Sequence, residues 1–163
     1  MTPQEICKRL CDRFGQGVLA TDIAGKHPHA VVAPDAWRAA AEFLRDDPEL
    51  KFDYLRAVSG VDYPKESKLV SVYDLISTAY RHTFAVKVET PRENPHIPSV
   101  AGVWPTAEWH EREAYDLLGI VYDGHPNLTR ILLPEDWQGH PLRKDYVFPK
   151  EYNGIPCAST VNP

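Results

Sequence analysis

What this chain has little of removes whole classes of function. Three cysteines, Cys7, Cys11 and Cys157, are too few for a disulfide framework and suit a reducing compartment. Cys7 and Cys11 stand four apart and could face one way on a helix. No third and fourth ligand lies near them, so both are expected as small buried hydrophobes rather than a metal site. No apolar run approaches the length that spans a bilayer. The opening MTPQEICKRLCDRFGQG has no apolar stretch and interleaves acidic and basic residues, unlike a secretory leader. The chain is therefore expected in the cytosol unless a partner takes it to a membrane. An excess of positive charge is missing as well. A net charge of −5 argues against nucleic acid as the main partner, because phosphate binding wants a basic surface. Nor is there a nucleophile elbow, a phosphate loop, a dinucleotide fingerprint or an iron–sulfur cysteine series.

What is present is an ordinary globular composition, 43% hydrophobic and 25% charged, over 163 residues. That is enough for one domain with a real core. Thr2, Pro3 and Glu5 form a capping-box start. Ile6, Cys7, Leu10, Cys11 and Phe14 follow as an apolar stripe, which predicts a helix over 3–14 ended by Gly15 and Gly17. GVLATDI and HAVVA read as two strands split by Gly25-Lys26-His27-Pro28. Asp35 is placed as the cap of a second helix with Trp37, Ala40, Ala41 and Leu44 inside, stopped at Asp47-Pro48. FDYLRAVSGVDY, KLVSVYDLIS and RHTFAVKVE read as three more strands. In the last, Phe84, Val86 and Val88 face one side and Thr83, Ala85 and Lys87 the other. The expectation is an α+β fold: a two-layer domain (helix, two strands, helix, three strands) with a mixed sheet covered on one face by helices. Residues 1–90 are its α/β part. Residues 91–163 are a further helix and a long extended, proline-rich tail in the same folding unit.

The texture changes after residue 90. Ten of the fifteen prolines and three of the four tryptophans lie there, so regular structure should be sparse. One helix stands out: Pro105-Thr106 opens it, AEWHEREAYDLL fills it and Gly119 closes it. So much irregular chain suggests a segment laid along a partner.

Three constellations could carry chemistry. On that helix Glu111, Arg112, Glu113 and Asp116 alternate in charge, and Arg112 has Glu108 and Asp116 at helical spacing. Acid–base carboxylates would use such a pattern. An exposed, salt-bridged face is the favoured reading, and an ion-pair network against another subunit is a third. Gly-His-Pro occurs twice, around His125 and His140. Glycine admits a positive φ just before each histidine, and proline holds the histidine extended just after. Each imidazole could be a ligand, a base or the pin of a turn. His110, His125 and His140 would make a zinc site, as in a stand-alone metallohydrolase, only if the fold gathered them. Finally, Pro134-Glu135-Asp136 reads as a type I turn that presents Trp137. Arg143, Lys144 and Asp145 beside short apolar runs fit an interface centre better than a phosphate site.

The segment WHEREAYDLLGIVYDGHPNLTRILLPEDWQGHPLRKDY carries Glu111-Arg112-Glu113, Asp116-Leu117-Leu118-Gly119-Ile120, Gly124-His125-Pro126, Arg130-Ile131-Leu132, Asp136-Trp137 and Gly139 to Tyr146. Together these closely resemble the signature region of the 30 kDa subunit family of respiratory complex I, known in bacterial NADH:quinone oxidoreductases as the C subunit. The resemblance is strong over about residues 98–150. The family often has two basic residues in succession where Thr129 precedes Arg130 here. What the resemblance implies is a structural and assembly subunit with no catalytic, cofactor or metal residues of its own, FMN and iron–sulfur clusters being held in partner subunits. It implies packing against the 49 kDa-like subunit and neighbouring iron–sulfur subunits, at the cytoplasmic side of the cell inner membrane and bound to it only through the complex. The partner surface would be Glu111, Arg112, Glu113, Asp116, His125, Arg130, Asp136, Trp137, His140, Arg143, Lys144 and Asp145. Related subunits of membrane-bound hydrogenases and F420H2 dehydrogenases share the pattern.

Overall fold

The structure is a computed structural model, and it describes residues 1–157. The expected tail's last residues, 158–163, lie outside the described residues.

Helix α1 (Pro3–Phe14) starts as the sequence indicates. The Thr2 Oγ1 accepts the Glu5 N–H, and the Glu5 carboxylate accepts the Thr2 N–H. Ile6, Cys7 and Leu10 turn inward. Cys11 does not; it is exposed. Burial pushes the Cys7 thiol up to about 11, with Cys11 nearby adding to it, so it stays an uncharged core atom. Helix α2 (Pro34–Asp46) has Trp37, Ala40, Ala41 and Leu44 completely buried, as their spacing requires. Its start differs from expectation. Pro34 occupies the first turn and Ala33 is the cap residue, without a side-chain bond, so Asp35 lies inside the first turn and supplies charge rather than a cap.

Strands β1 (Val18–Asp22), β2 (His29–Val32), β3 (Tyr54–Tyr63), β4 (Lys68–Ile76) and β5 (Thr83–Pro91) form one sheet in the order β1-β2-β5-β4-β3. Only β2 and β5 run parallel, so the sheet is mixed. Leu69, Tyr73 and Leu75 of β4 lie beside Val86 and Phe84 of β5 on the buried face. The opposite positions, Asp74, Ala85 and Lys87, are more open. Trp37 of α2 packs on Tyr73, ring centroids 4.4 Å apart and planes tilted by 43°, and so ties the helix layer to the middle of the sheet.

Helix α3 (Ala107–Leu118) lies over β3. Gly60 permits the approach, because a Cβ there would overlap the Leu118 Cδ1. The second half also holds strands that its turn-rich texture concealed. β6 (His96–Pro98) and β7 (Val121–Asp123) pair in parallel, and β8 (Glu151–Tyr152) and β9 (Ile155–Pro156) form a short hairpin. Among the described residues no helix is long and apolar enough to cross a membrane.

Candidate partner interface

The signature segment is built around α3. Ala107, Glu111, Ala114 and Leu118 share its inner stripe, so a carboxylate occupies a core position. Glu111 is fully buried. The Ser99 hydroxyl (2.5 Å) and the Val100 N–H (2.8 Å) both donate to it, and Arg38 of α2 holds the same turn through the Ser99 carbonyl. Burial pushes its pKa up to about 7, against the pull of those two bonds and of Arg38. The expected exposed, salt-bridged face is therefore corrected. Two of its carboxylates, Glu111 and Asp116, face inward at 0% exposure.

Asp116 organises the chain beyond the helix. Its Oδ2 accepts three successive backbone N–H groups, from Ile131 (3.1 Å), Leu132 (2.8 Å) and Leu133 (2.9 Å). Its Oδ1 stands 3.7 Å from the Arg130 Nε. Both Oδ1 and the Arg130 Nη1 are buried without a hydrogen-bond partner. Arg112 pairs with neither Glu108 nor Asp116. It donates to the Thr129 carbonyl (3.0 Å), the Thr129 hydroxyl (2.9 Å) and the Arg130 carbonyl (3.3 Å), and lies over the Trp109 ring. Thr129, where the family often has a cation, thus accepts from Arg112 instead of repelling it.

The glycines of the two Gly-His-Pro bends take the positive φ expected of them. Gly124 and Gly139 take φ of +79° and +80°. The His125 Nδ1 accepts the Asn127 N–H, which leaves the proton on Nε2 to be donated to the Glu108 carbonyl (3.0 Å). The His140 Nδ1 donates to the Asp116 carbonyl (3.0 Å). Burial holds the His140 imidazole below its ordinary pKa. The nearby Arg143 and Arg130 act the same way, and the bond to Asp116 acts against them. Both rings therefore spend nitrogens on pinning the backbone. Among the described residues no three His, Cys, Asp or Glu side chains gather as metal ligands, so His110, His125 and His140 do not converge.

The second bend closes the C-terminal end of α3. The last four carbonyls of a helix have no partner inside it. Here the Tyr115 carbonyl accepts the Gly119 N–H, Asp116 accepts from His140, Leu117 accepts the Leu142 N–H (3.1 Å) and Leu118 accepts from the Arg143 Nε (2.8 Å). Downstream, the Lys144 N–H and the Arg92 guanidinium both donate to the buried Asp62 carboxylate, and Arg92 also grips Asp145. Arg92 and Asp62 had no signal in the sequence, since they lie far apart in it. A signal for Glu111 did exist, because it sits within the apolar stripe of the helix.

The remaining groups lie nearer the surface, with Trp137 half-buried and its indole N–H enclosed without a partner. The Trp137 backbone N–H closes a turn on the Pro134 carbonyl (3.1 Å), as expected, and its ring packs on Tyr152. Asp136 accepts from the Tyr152 hydroxyl (2.9 Å). Glu113 and Lys144 are exposed, and so are Leu132, Leu142, Val147, Phe148 and Ile155. Several large apolar side chains are thus left open along this one segment.

A family profile described as the respiratory-chain NADH dehydrogenase 30 kDa subunit matches residues 30–152. The C subunit of an NADH-quinone oxidoreductase from Chlorobium phaeobacteroides is 52% identical over 146 residues, covering 88% of each chain. The protein of that name from Chloroherpeton thalassium is 47% identical over 156 residues, covering 94% of this chain and 65% of its own. That from Mycolicibacterium smegmatis is 50% identical over 121 residues, and the match takes in 51% of the relative's length. Two solved structures share the fold. One belongs to the membrane-bound sulfane sulfur reductase, an archaeal respiratory membrane complex (TM-score 0.71, 26% identity, 88% of this chain and 85% of that one). The other is the trypsin-resistant fragment (1–134) of Nqo5 (TM-score 0.62, 27% identity, 76% of this chain and 99% of that one). With the profile running from β2 through β5, α3 and both Gly-His-Pro bends, the chain belongs to the family of the respiratory-chain NADH dehydrogenase 30 kDa subunit.

Proposed function

We propose that the chain is a non-catalytic assembly subunit in the peripheral arm of a proton-translocating NADH:quinone oxidoreductase. The observation that carries this reading is the state of its signature segment. The Asp116, His140 and Arg143 side chains fold the segment onto α3, the Lys144 N–H ties it to Asp62 of β3, and its apolar side chains, Leu132, Leu142, Val147 and Phe148, are left outside. Such a surface binds a protein rather than transforming a small molecule. The electron carriers, FMN and iron–sulfur clusters, then belong to other subunits. The main contact is the 49 kDa-like subunit with its iron–sulfur neighbours, and the complex holds the chain at the cytoplasmic face of the inner membrane. Glu113, Lys144 and Asp136 are the polar contacts that remain available for that role, with the half-buried Trp137 ring beside Asp136. Glu111, Asp116 and His125 support it from within.

Purification of the membrane complex from its source, with subunit analysis, tests the proposal. The chain should co-migrate with iron–sulfur subunits and with NADH:quinone activity. Its consistent absence from that fraction would sink the reading. A second reading places it as the equivalent subunit of another respiratory complex, a membrane-bound hydrogenase or F420H2 dehydrogenase. The likeness to the archaeal sulfane sulfur reductase chain favours considering it. The electron donor accepted by the co-purified complex separates the two.

A further inference from the structure

The turn at Pro134–Trp137 and the β8–β9 hairpin enclose an open cavity of about 390 Å³. Three aromatic rings, Trp137, Tyr146 and Tyr152, and two carboxylates, Asp136 and Glu151, stand in its walls, and no Lys, Arg or His does. The rings are held in place. Trp137 and Tyr152 lie 5.1 Å apart, tilted by 56°. The Tyr146 hydroxyl donates to the Gln138 carbonyl (3.0 Å), and its ring edge fills the space beside Gly139, 2.8 Å from where a Cβ would stand. The Tyr152 hydroxyl donates to one oxygen of Asp136. Among the described residues no cation pairs with Asp136 or Glu151, and residues 158–163 include no basic side chain to supply one. The nearby arginines are used elsewhere, Arg143 on the Leu118 carbonyl and Arg92 on Asp62 and Asp145.

We propose that this pocket receives an arginine side chain of a partner subunit, a contact that rests on the reading of the chain as a subunit. The chemistry selects a cation. Ring faces and carboxylates both repel an anion, and an apolar side chain would strip water from two charges and return nothing. It selects guanidinium over ammonium. A flat, weakly hydrated group packs on ring faces, and its planar fork matches a carboxylate better than a point-charged ammonium does. The rim suits a protein partner, because Val147, Phe148 and Ile155 stand exposed around the pocket at 85%, 55% and 69%.

Two measurements test this. In the first, the full chain is titrated with N-acetyl-arginine-methylamide while the indole N–H resonance of Trp137, assigned with Trp137→Phe, is followed. The resonance should shift saturably. The citrulline analogue, neutral and of nearly the same shape, should bind about tenfold more weakly, and the double substitution Asp136→Asn, Glu151→Gln should cost about the same factor. Equal shifts with citrulline, or none with arginine, would overturn the cation site. In the second, Glu151→Lys is introduced into the native complex. It should release the chain at a salt concentration that retains wild type, while the isolated variant melts as wild type does. Unchanged retention overturns the partner contact. Chain dimers that Glu151→Lys abolishes would assign the pocket to a second copy and overturn it too. Failure of the wild-type chain to co-purify at all would instead remove the subunit reading, and the arginine titration would still judge the pocket by itself.

Discussion

The imidazole of His140 rests on Gly119. A Cβ added to Gly119 would fall 2.5 Å from the His140 Nε2, and Gly119 already takes a left-handed φ of +77°. One glycine thus ends α3 and makes room for the side chain that caps it. This couples the helix terminus to a bend 21 positions later in the chain.

Gly119→Ala should therefore carry two costs, a left-handed alanine and an overpacked contact. Together they amount to about 2–4 kcal/mol. Urea unfolding of the isolated chain measures the sum. The same substitution made in a His140→Ala background should cost less, because the contact is gone while the backbone strain stays. An equal cost in both backgrounds would show that the packing against His140 contributes nothing.

That coupling shows where sequence reading succeeds and where it stops. The capping box at Thr2, the apolar stripe of α2, the alternation of β5 and the ends of α3 are local, and each was legible because its cause lies within a few residues. The positive φ at Gly124 and Gly139 was legible too, since proline and glycine act on their own backbone. Contacts between distant segments were not. Nothing near Asp116 announces that its carboxylate will gather the Ile131–Leu133 backbone. Nothing near Arg92 announces Asp62 and Asp145. The β6–β7 pair escaped because three-residue strands carry almost no periodicity.

Glu111 makes the stability of the chain depend on pH. Its folded pKa, pushed up to about 7, lies above the ordinary 4.5. The stability it lends is fully present below pH 4.5 and is lost as pH rises through 7. The loss is about 3 kcal/mol. Glu111→Gln keeps the shape and can still meet Ser99 and the Val100 N–H. The difference between wild type and variant, measured by urea unfolding from pH 4.5 to 8, isolates this group from His140 and His82, whose depressed pKa values act in the opposite direction. Parallel curves would mean that Glu111 does not titrate in that range.

Asp62 should act at the acid end. Burial alone would push its carboxyl up, but the Arg92 guanidinium and the Lys144 N–H outweigh that and hold it below the ordinary 3.8. Its contribution is present above pH 3.8 and is lost as pH falls through the lower folded value. Asp62→Asn leaves Arg92 facing only the exposed Asp145. It should cost about 3 kcal/mol at pH 7 and less toward pH 2. A cost that stays constant with pH would identify the loss as packing rather than charge.

Arg143 holds the signature segment closed. Its Nε donates to the Leu118 carbonyl, and a charged hydrogen bond of this kind contributes about 1.5–3 kcal/mol. The Leu142 N–H and His140 bonds lie within three residues, so Arg143→Ala should loosen residues 140–146 as a unit while the five-stranded sheet, which these bonds do not touch, keeps its stability. Local opening governs proteolysis when closing is fast. Trypsin should then cleave after Lys144 about tenfold or more faster in the variant than in wild type. Mass spectrometry of the released peptides scores that site apart from position 143, which the substitution itself removes. Arg143→Lys keeps a donor without the guanidinium's fixed geometry and should fall between the two. If the segment's outer face is covered by a partner, the same cleavage should be slow in the assembled complex even for Arg143→Ala. Equal cleavage rates for wild type and Arg143→Ala in the isolated chain would mean that the Leu118 bond does not hold the segment, and that Asp116 and the Arg92–Asp145 pair suffice.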